Sequence, residues 1–199
     1  IKIADGCFTR FATSKMSRNE MCLLLGATGV GKTLLLKRLQ NILCVQLIDL
    51  NGLKPEKLGA SPSTLPTVGT NLTDLTLKKR KVTVRELGGC MGPIWPSYFS
   101  DCSSVIFMVD SANIAQVSSS CIQLLSVLSA EPLRSASVLI LFNKTDMPCT
   151  MSLVEIKSLF RMDDIIASAT QPITTLELSA RSGQGLQEVL SWLESIPIK

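Results

Sequence analysis

The order of hydrophobic and polar positions predicts strands and helices in turn along the chain. Three short apolar runs are typical of strands covered on both faces of a sheet: Met21–Leu25, Ser104–Asp110 and Ser137–Asn143. Ile173–Ser179 is interpreted as a last strand. Apolar residues at helical spacing predict helices over Leu34–Leu43, Ile114–Leu128, Met151–Phe160 and a final segment that ends before Pro197.

Two further β-type segments, Asn71–Leu77 and Val82–Leu87, are separated by a basic run and predict an antiparallel hairpin. Strands that alternate with helices indicate an α/β fold. We therefore expect a mostly parallel six-stranded sheet with one antiparallel edge hairpin and helices on both faces.

Some faces and segments are less regular. The Ile114–Leu128 helix is expected to turn one side to the core, formed by Val117, Cys121, Leu124, Leu125 and Leu128. Residues 44–70 begin with a piece that either extends the first helix or forms a short strand, and continue as a long connection rich in Pro, Gly and Ser. Residues 1–20 have no clear period and are expected to be a poorly ordered leader. The domain prediction is a single domain over residues 21–196.

Composition narrows the class of protein. The 199 residues are 46% hydrophobic and 18% charged, which is typical of a globular domain. Seven scattered cysteines without CxxC spacing, and the absence of histidine, argue against a zinc site and favour free thiols in a reducing cytosol. No apolar run is long enough for a membrane span.

The net charge of +4 comes from one place. Residues 78–81 carry four of the 20 basic residues, which leaves 16 against 16 acidic residues elsewhere. A nucleic-acid binder would spread positive charge over a face, so nucleic acid is not expected as a partner. The run is interpreted as a solvated hairpin tip, with attraction to an acidic membrane surface or partner as the alternative.

The stretch GATGVGKT matches the phosphate-binding pattern G-x-x-x-x-G-K-[ST] between a predicted strand and a predicted helix. Glycines let backbone N–H groups converge on an anion, and a helix N-terminus adds free donors. The expected nucleotide contacts are Gly26, Ala27, Thr28, Gly29, Val30, Gly31, Lys32 and Thr33. Lys32 would supply positive charge to the β- and γ-phosphates, and the Thr33 hydroxyl would coordinate Mg²⁺. The alternative is a glycine-rich turn that matches by chance.

The stretch NKTD, Asn143–Asp146, stands at the C-terminal end of an apolar strand, where ligands bind in open α/β sheets. One carboxylate can accept both N1–H and the 2-amino group of guanine, whereas adenine has a lone pair at N1. Asp146 therefore predicts guanine, Asn143 would brace the loops, and the Lys144 stem would cover the purine. Ser179 and Ala180 follow the last strand, where a backbone N–H could meet the guanine carbonyl oxygen.

The order GATGVGKT, PTVGTN, ELGG, NKTD and SAR resembles that of the small GTPases, over residues 21–195. PTVGTN resembles the PTIGFN of the ADP-ribosylation-factor-like branch, and PIWPSYF with SVIFMVDSAN resembles its PLWRHYF and LIFVVDSND. The resemblance implies the P-loop G-domain fold with GTP or GDP and Mg²⁺ as cofactors. It also implies that Thr67 in switch I coordinates Mg²⁺ and senses the γ-phosphate, that the Gly89 N–H in switch II contacts the γ-phosphate, and that the hairpin is the interswitch.

This chain departs from the family pattern D-x-G-G-Q. Glu86 keeps the carboxylate that holds Mg²⁺, one methylene further out, and Cys90 replaces the glutamine that orients the attacking water. A thiol cannot make both hydrogen bonds of an amide, so slow intrinsic hydrolysis is expected and enzyme status is left open. Cys90 as a nucleophile is disfavoured because no histidine is present to activate it. Switch II is also shorter than is typical of the family.

An apolar patch follows the Gly-Gly pair, formed by Met91, Pro93, Ile94, Trp95, Tyr98 and Phe99. We expect Phe99 in the core, and Ile94, Trp95 and Tyr98 facing effectors in the GTP state. Together with the region around Thr67, Met91–Phe99 is the predicted effector surface. An exchange factor and an activating protein are further expected partners.

The resulting hypothesis is a Mg²⁺-dependent GTP-binding switch that recruits effectors, serving membrane traffic or cilium-related transport as the family resemblance implies. It is expected to be a cytoplasmic monomer, peripheral to internal membranes or cilium-associated. No glycine follows Met16 or Met21, so membrane contact is expected to be absent or indirect. The alternatives are a scaffold that holds GTP permanently or holds nothing, and a P-loop kinase or ATPase, which Asp146 disfavours.

Overall fold

The computed structural model describes residues 20–50, 62–148 and 151–197, with no side-chain placement for residues 47–50. Six strands form one sheet: β1 (Glu20–Leu25), β2 (Thr70–Thr76), β3 (Lys81–Leu87), β4 (Ser104–Asp110), β5 (Ser137–Asn143) and β6 (Ile173–Glu177). Five α-helices accompany them: α1 (Lys32–Leu50), α2 (Ile114–Leu128), α3 (Leu153–Leu159), α4 (Met162–Ser168) and α5 (Leu186–Ser195). Two 3₁₀ segments cover Gly89–Asp101 and Glu131–Leu133.

The strand order is β2-β3-β1-β4-β5-β6, with β2 and β3 antiparallel and the other pairs parallel. Successive residues of a strand point to opposite faces, so a strand with helices on both sides is apolar throughout. In β1, Cys22 and Leu24 pack with α1 and α5, while Leu23 and Leu25 pack with α2 and the Gly89–Asp101 segment. The predicted mixed sheet with one antiparallel hairpin is confirmed.

Several boundaries differ from the sequence expectation. α1 continues to Leu50, which decides between the two interpretations of the residues after Cys44. β1 begins at Glu20, the last residue of the predicted leader. The described residues do not include 1–19 or 51–61, and Cys7 and Cys149 are outside them. The prediction of a poorly ordered leader therefore stays a prediction.

Two helix predictions were wrong in detail. The expected Met151–Phe160 helix is shorter, and α4 was missed because Arg161, in the left-handed region at φ 51°, divides α3 from α4. In α2, Leu125 is 47% exposed although it was placed on the core side. Ser120 and Val127 are buried there instead.

The hairpin tip is only partly solvated. Lys78 and Lys79 are exposed, and Lys81 pairs with Asp74 at 2.7 Å. The Arg80 side chain is 7% exposed, pairs with Glu20 at 2.8 Å and donates a hydrogen bond to the Leu193 carbonyl oxygen of α5. The prediction of a solvated basic run was therefore wrong at Arg80, which connects the tip to the body of the domain.

Within the described part of the chain, no helix combines the length and apolar character needed to cross a membrane. The cysteines described there, Cys22, Cys44, Cys90, Cys102 and Cys121, are all free thiols.

Candidate nucleotide-binding site

The loop between β1 and α1 takes a shape that only glycine accommodates at two positions. Gly26 has φ 140°, and a Cβ there would lie 2.3 Å from the Met108 carbonyl oxygen. Gly31 has φ 101°, and its Cβ would lie 2.6 Å from the Asn143 Nδ2. Because these two glycines have no side chain, the backbone of the loop packs directly against β4 and Asn143. In this conformation the N–H groups of the loop can converge on a ligand.

Lys32, the first residue of α1, is buried under this loop. Its side chain is 5% exposed overall, and Nζ donates to the carbonyl oxygens of Gly26 at 2.7 Å and Ala27 at 2.9 Å. Burial lowers the pKa of the ammonium to about 8, and the nearby Glu86 and Cys90 oppose that shift. A buried cation with incomplete charge compensation favours an anionic ligand beside it.

Three oxygen-bearing side chains meet next to Lys32. The Thr33 hydroxyl donates to Glu86 Oε1 at 2.5 Å, the Thr67 hydroxyl donates to the same oxygen at 3.1 Å, and the two hydroxyls lie 3.0 Å apart. Glu86 is 1% exposed. Hydroxyl and carboxylate oxygens are the ligands that Mg²⁺ prefers, so the cluster fits the expected metal.

The cluster contains only one carboxylate, which is fewer than a metal site made of protein ligands alone usually has. Among the described residues, no group of three or more Asp, Glu, Cys or His side chains could hold an ion. Mg²⁺ commonly takes its remaining ligands from substrate phosphates and water. The cluster of Thr33, Thr67 and Glu86 therefore suits an ion that binds together with a phosphate ligand.

Asn143 connects three loops. Its Nδ2 donates to the Val30 carbonyl oxygen at 2.7 Å, and its Oδ1 accepts from the Ala180 N–H at 3.0 Å. The side chain is 2% exposed. The phosphate loop, the NKTD loop and the loop after β6 are thus held together by one buried amide.

The residues expected at the base lie on the same edge of the sheet. Asp146 Oδ1 accepts from the Ser179 hydroxyl at 2.6 Å, and Ser179 in turn accepts from the Ser182 N–H at 3.0 Å. Asp146 is exposed while Ser179 is buried. This chain of bonds fixes one carboxylate oxygen and leaves the other for a ligand.

Lys144 is oriented by a residue that the sequence analysis missed. Lys144 has φ 69°, and its Nζ donates to Asp110 Oδ2 at 2.6 Å. Asp110 is buried at the end of β4 and also accepts from the Ala112 N–H at 3.0 Å. Its position at the C-terminal end of an apolar strand is the signal that could have identified it.

Gly89 lies directly against the phosphate loop. A Cβ at this position would be 2.2 Å from the Thr28 backbone nitrogen, so only glycine permits the contact. The preceding Gly88 donates from its N–H to the Gly69 carbonyl oxygen at 3.0 Å. The segments around Thr67 and Gly89 are therefore joined beside the phosphate loop, around a cavity of about 280 Å³ that Lys32, Thr33 and Glu86 also line.

A second unpredicted residue reaches the loop from α2. Gln116 Nε2 donates to the Thr28 carbonyl oxygen at 3.3 Å. No motif in the sequence marks this glutamine, because the contact depends on how α2 packs.

The apolar patch after Gly89 is oriented differently from the expectation. Trp95, predicted to face effectors, is 3% exposed, packs edge-to-face on Phe107 and donates from Nε1 to the Gly88 carbonyl oxygen at 3.2 Å. Phe99 is buried, as predicted, and Ile94 is 46% exposed. Tyr98 is half-buried under the Arg85 guanidinium, 5.2 Å from its ring centroid. The prediction for Trp95 was wrong because its indole N–H has a partner inside the domain.

Comparison with known proteins gives consistent results. The sequence profile of the ADP-ribosylation factor family matches residues 8–196. ADP-ribosylation factor-like protein 16 of Homo sapiens is 59% identical over 179 residues, which are 90% of this chain and 87% of that protein. ADP-ribosylation factor-like protein 1 of Drosophila melanogaster is 32% identical over 181 residues, 90% of this chain and 89% of the relative.

A solved structure shares the fold. The Arl6 BBS3 small GTPase from Trypanosoma brucei, with bound nucleotide analogue GppNp, superposes with a TM-score of 0.69 at 20% identity, over 88% of this chain and 95% of that one. At this identity the likeness concerns the fold. The family match over nearly the whole chain and the two curated relatives lead to one conclusion: the protein belongs to the ADP-ribosylation factor family of small GTPases.

Proposed function

We propose that the protein is a Mg²⁺-dependent switch that recruits effectors when it holds GTP and hydrolyses GTP slowly by itself. The observation that carries this proposal is the meeting of Thr33, Thr67 and Glu86 beside the buried Lys32. Thr67 belongs to one switch segment and Glu86 leads into the other, so a ligand at this cluster orders both.

The chain's own residues account for nucleotide recognition. Lys32 supplies charge to the phosphates, the loop N–H groups donate to them, and Asp146 accepts from the guanine edge while Asn143 keeps the three loops in register. Mg²⁺, when bound with the nucleotide through Thr33, Thr67 and Glu86, neutralises phosphate charge. Backbone packing holds Gly89 against Thr28, and we propose that the Gly89 N–H senses the terminal phosphate.

Hydrolysis is the weakest part of this machinery. Cys90 is exposed and stands where the family has its water-orienting glutamine. Even with that glutamine, a small GTPase without an arginine finger turns over at only about 10⁻⁴ s⁻¹. We propose that a partner protein accelerates the reaction, since the described residues place no amide at this position.

Effectors would meet the exposed apolar residues of the switch region. Leu65 is 87% exposed, Val68 is 91% exposed and Leu72 is 59% exposed, and all three are near Thr67 in the sequence. We propose that these residues and the exposed Ile94, which follows Gly89, contact effectors. Family membership favours a role in membrane traffic or cilium-related transport, as a cytoplasmic monomer that reaches membranes indirectly.

A second candidate function is a scaffold that does not cycle. Cys90 and the short segment between Gly89 and Trp95 favour it, because both weaken hydrolysis without removing the nucleotide site. Single-turnover hydrolysis separates the two. A measurable rate that rises about tenfold or more in Cys90→Gln supports the switch, whereas GTP retained unchanged for many hours in both proteins supports the scaffold.

Base recognition has its own test. Asp146→Asn replaces an acceptor oxygen by an amide donor, which suits the C2 carbonyl group of xanthine and opposes the 2-amino group of guanine. We expect the variant to lose GTP affinity and to gain XTP affinity, measured by competition with a fluorescent nucleotide, while Asp163→Asn on exposed α4 keeps the GTP preference. A wild-type protein that bound ATP as tightly as GTP would contradict the proposed function.

A further inference from the structure

Arg38 is a buried cation that lies outside the phosphate loop, the oxygen cluster and the NKTD loop. It belongs to α1 and is 3% exposed, and its Nη2 donates a hydrogen bond to the Arg181 carbonyl oxygen at 2.9 Å. Burial of a charged side chain costs free energy unless hydrogen bonds replace those to water. An apolar side chain would fill the same space on α1 without that cost, so the contact itself is the candidate for a function.

The acceptor belongs to residues 178–185, which connect β6 to α5 and are called the base loop because Ser179 and Ala180 are expected at the guanine. Inside the base loop, the Ser179 N–H donates to the Gln184 carbonyl oxygen at 3.0 Å, and the Gly183 N–H donates to the Ser179 carbonyl oxygen at 2.8 Å. These bonds fix the shape of the base loop. Its position relative to the nucleotide depends on contacts with other segments.

Two parts of the fold hold the base loop in position. From the NKTD loop, Asn143 Oδ1 accepts from the Ala180 N–H at 3.0 Å. From α1, Arg38 bonds to the Arg181 carbonyl oxygen, and Ala180 belongs to the same apolar cluster as the buried leucines of α1. The polar contact of Arg38 therefore adds direction to an apolar packing that has none by itself.

A chain of hydrogen bonds runs from Arg38 to the carboxylate expected at the guanine. The Arg181 carbonyl oxygen and the Ser182 N–H belong to one peptide group, which is planar. This N–H donates to Ser179 Oγ at 3.0 Å, and the Ser179 hydroxyl donates to Asp146 Oδ1 at 2.6 Å. The orientation of the Asp146 carboxylate therefore depends on a peptide group whose carbonyl oxygen Arg38 holds.

We propose that Arg38 is a positioning residue for base specificity. Through the peptide group and the Ser179 hydroxyl, it holds the Asp146 carboxylate in the orientation that accepts from the guanine N1–H and 2-amino groups. This inference rests on the proposed function, since it concerns the same base site. It means that α1 serves both ends of the nucleotide, because its first turn carries Lys32 at the phosphates.

The test measures base preference, because a loss of stability alone would weaken the binding of every nucleotide alike. The Kd values of GDP and of inosine diphosphate, which lacks the 2-amino group, are measured on the full chain by competition with a fluorescent guanine nucleotide. In the wild type we expect GDP to bind about tenfold or more tightly, the effect of one hydrogen bond to a carboxylate. In Arg38→Met, which keeps the volume and removes the donors, this ratio should fall to about threefold or less, because a carboxylate without a fixed orientation bonds poorly.

Two further variants locate the effect. Gln40→Met, at an exposed position of α1, is the matched control and should keep the wild-type ratio. Ser179→Ala breaks the same chain of hydrogen bonds next to Asp146 and should lower the ratio as Arg38→Met does. The double variant should show no further fall, because both changes release the same carboxylate. Falls that multiply in the double variant would show that Arg38 does not act through Ser179 and would overturn the proposal.

The outcome also separates this proposal from the proposed function. If the wild type binds GDP and inosine diphosphate equally tightly, the guanine recognition by Asp146 fails, and the role of Arg38 fails with it. If the wild type discriminates and Arg38→Met keeps the same ratio, only the role of Arg38 fails. Should Arg38→Met not fold, Arg38→Gln, a shorter side chain without charge, is measured with the same expected fall and the same contrary result.

Discussion

At the scale of single residues, the site depends on charges that are buried before any ligand is present. Lys32 is almost fully buried, and its ammonium donates hydrogen bonds to two carbonyl oxygens of its own loop. Its pKa falls to about 8 because burial disfavours the ammonium more than Glu86 and Cys90 favour it. The loop is thus preorganised for phosphate at a cost to the stability of the free protein.

Lys32→Met tests this cost. From pH 8 to 10.5 the unfolded state binds more protons than the folded state, so wild-type stability rises with pH in that window. Below pH 8 the cost is complete, and a shift of this size corresponds to about 3 kcal/mol at most. Without nucleotide we expect Lys32→Met to be more stable than wild type by about 2 kcal/mol at pH 7, with a smaller difference near pH 10.

The measurement is urea unfolding of both proteins at the two pH values. Lys79→Met, on the exposed hairpin tip, is the matched control and should leave stability within about 0.5 kcal/mol of wild type. A Lys32→Met protein that is less stable than wild type at both pH values would contradict the electrostatic account.

Gly89→Ala addresses the contact between switch II and the phosphate loop. The added Cβ would stand 2.2 Å from the Thr28 nitrogen and 2.4 Å from the Ala27 carbonyl carbon, both backbone atoms that cannot rotate away. The segment must therefore move off the loop, which withdraws the Gly89 N–H from the terminal phosphate. We expect affinity for GTP to fall about tenfold or more, with little change for GDP, a loss of one charge-assisted hydrogen bond.

Competition titrations with GTP and GDP measure this change. Gly92→Ala is the control, because its Cβ would meet only the Gln123 side chain at 3.7 Å. Parallel losses for GTP and GDP in Gly89→Ala would show that Gly89 supports the loop as a whole and does not sense the terminal phosphate.

At the scale of elements, the β2–β3 hairpin is attached at both ends. Its tip is held by Arg80, which pairs with Glu20 and donates to the Leu193 carbonyl oxygen, while the Lys78 N–H donates to Glu194 at 3.2 Å. The other end of β3 carries Glu86 to the oxygen cluster that it forms with Thr33 and Thr67. One strand therefore connects α5 to the nucleotide site.

Arg80→Ala should destabilise the domain. The Arg80 and Glu20 side chains are 7% and 14% exposed, so removal of the cation leaves a nearly buried carboxylate without its partner. A change of this kind costs about 3 kcal/mol. Chemical denaturation measures it, with Lys79→Ala as the exposed control within about 0.5 kcal/mol of wild type. Glu20→Gln combined with Arg80→Ala should recover part of the loss, and strict additivity would argue against the pair.

The same elements show what the sequence can and cannot predict. The central strands were predictable because both of their faces are covered, so the residues between the ends of β4 and β5 are all apolar. The break between α3 and α4 depends on a single left-handed residue, Arg161, which no pattern of apolar positions indicates. At the start of α3, Ser152 and Glu155 form a capping box, a local signal that was present in the sequence but was not used in the helix prediction.

For the candidate site, the sequence motifs predicted the residues of the nucleotide-binding loops. They did not predict the side chains that pack against those loops. Lys32, Asn143 and Asp146 are found where short motifs follow strand ends, because in a parallel sheet those ends share one edge. Gln116 and the inward-facing Trp95 depend on how α2 and the 3₁₀ segment pack together, and the sequence carries no local signal for that geometry.

At the scale of the whole molecule, the candidate site is formed by residues that follow several different strands of the sheet. Residues after β1, β3, β5 and β6 meet at one edge, and the Asn143 amide bonds to two of the other loops. A ligand bound there contacts both halves of the sheet. Its binding free energy therefore adds to the free energy of unfolding of the entire domain.

Mg²⁺ should stabilise the domain only together with the nucleotide, since Thr33, Thr67 and Glu86 supply too few ligands for Mg²⁺ alone. With GTP at about 100 times its Kd, the linked stabilisation is about 2.7 kcal/mol, which corresponds to a rise in Tm of about 5–10 °C for a domain of this size.

Thermal unfolding is measured with Mg²⁺ alone, with GTP and EDTA, and with GTP and Mg²⁺ together. We expect no shift with Mg²⁺ alone, a small shift with GTP in EDTA, and the full shift with both. Glu86→Gln should reduce the full shift toward the EDTA value, while Glu188→Gln on the exposed face of α5 should not. A Tm that rises as much in EDTA as in Mg²⁺ would mean that the oxygen cluster holds no ion when GTP binds.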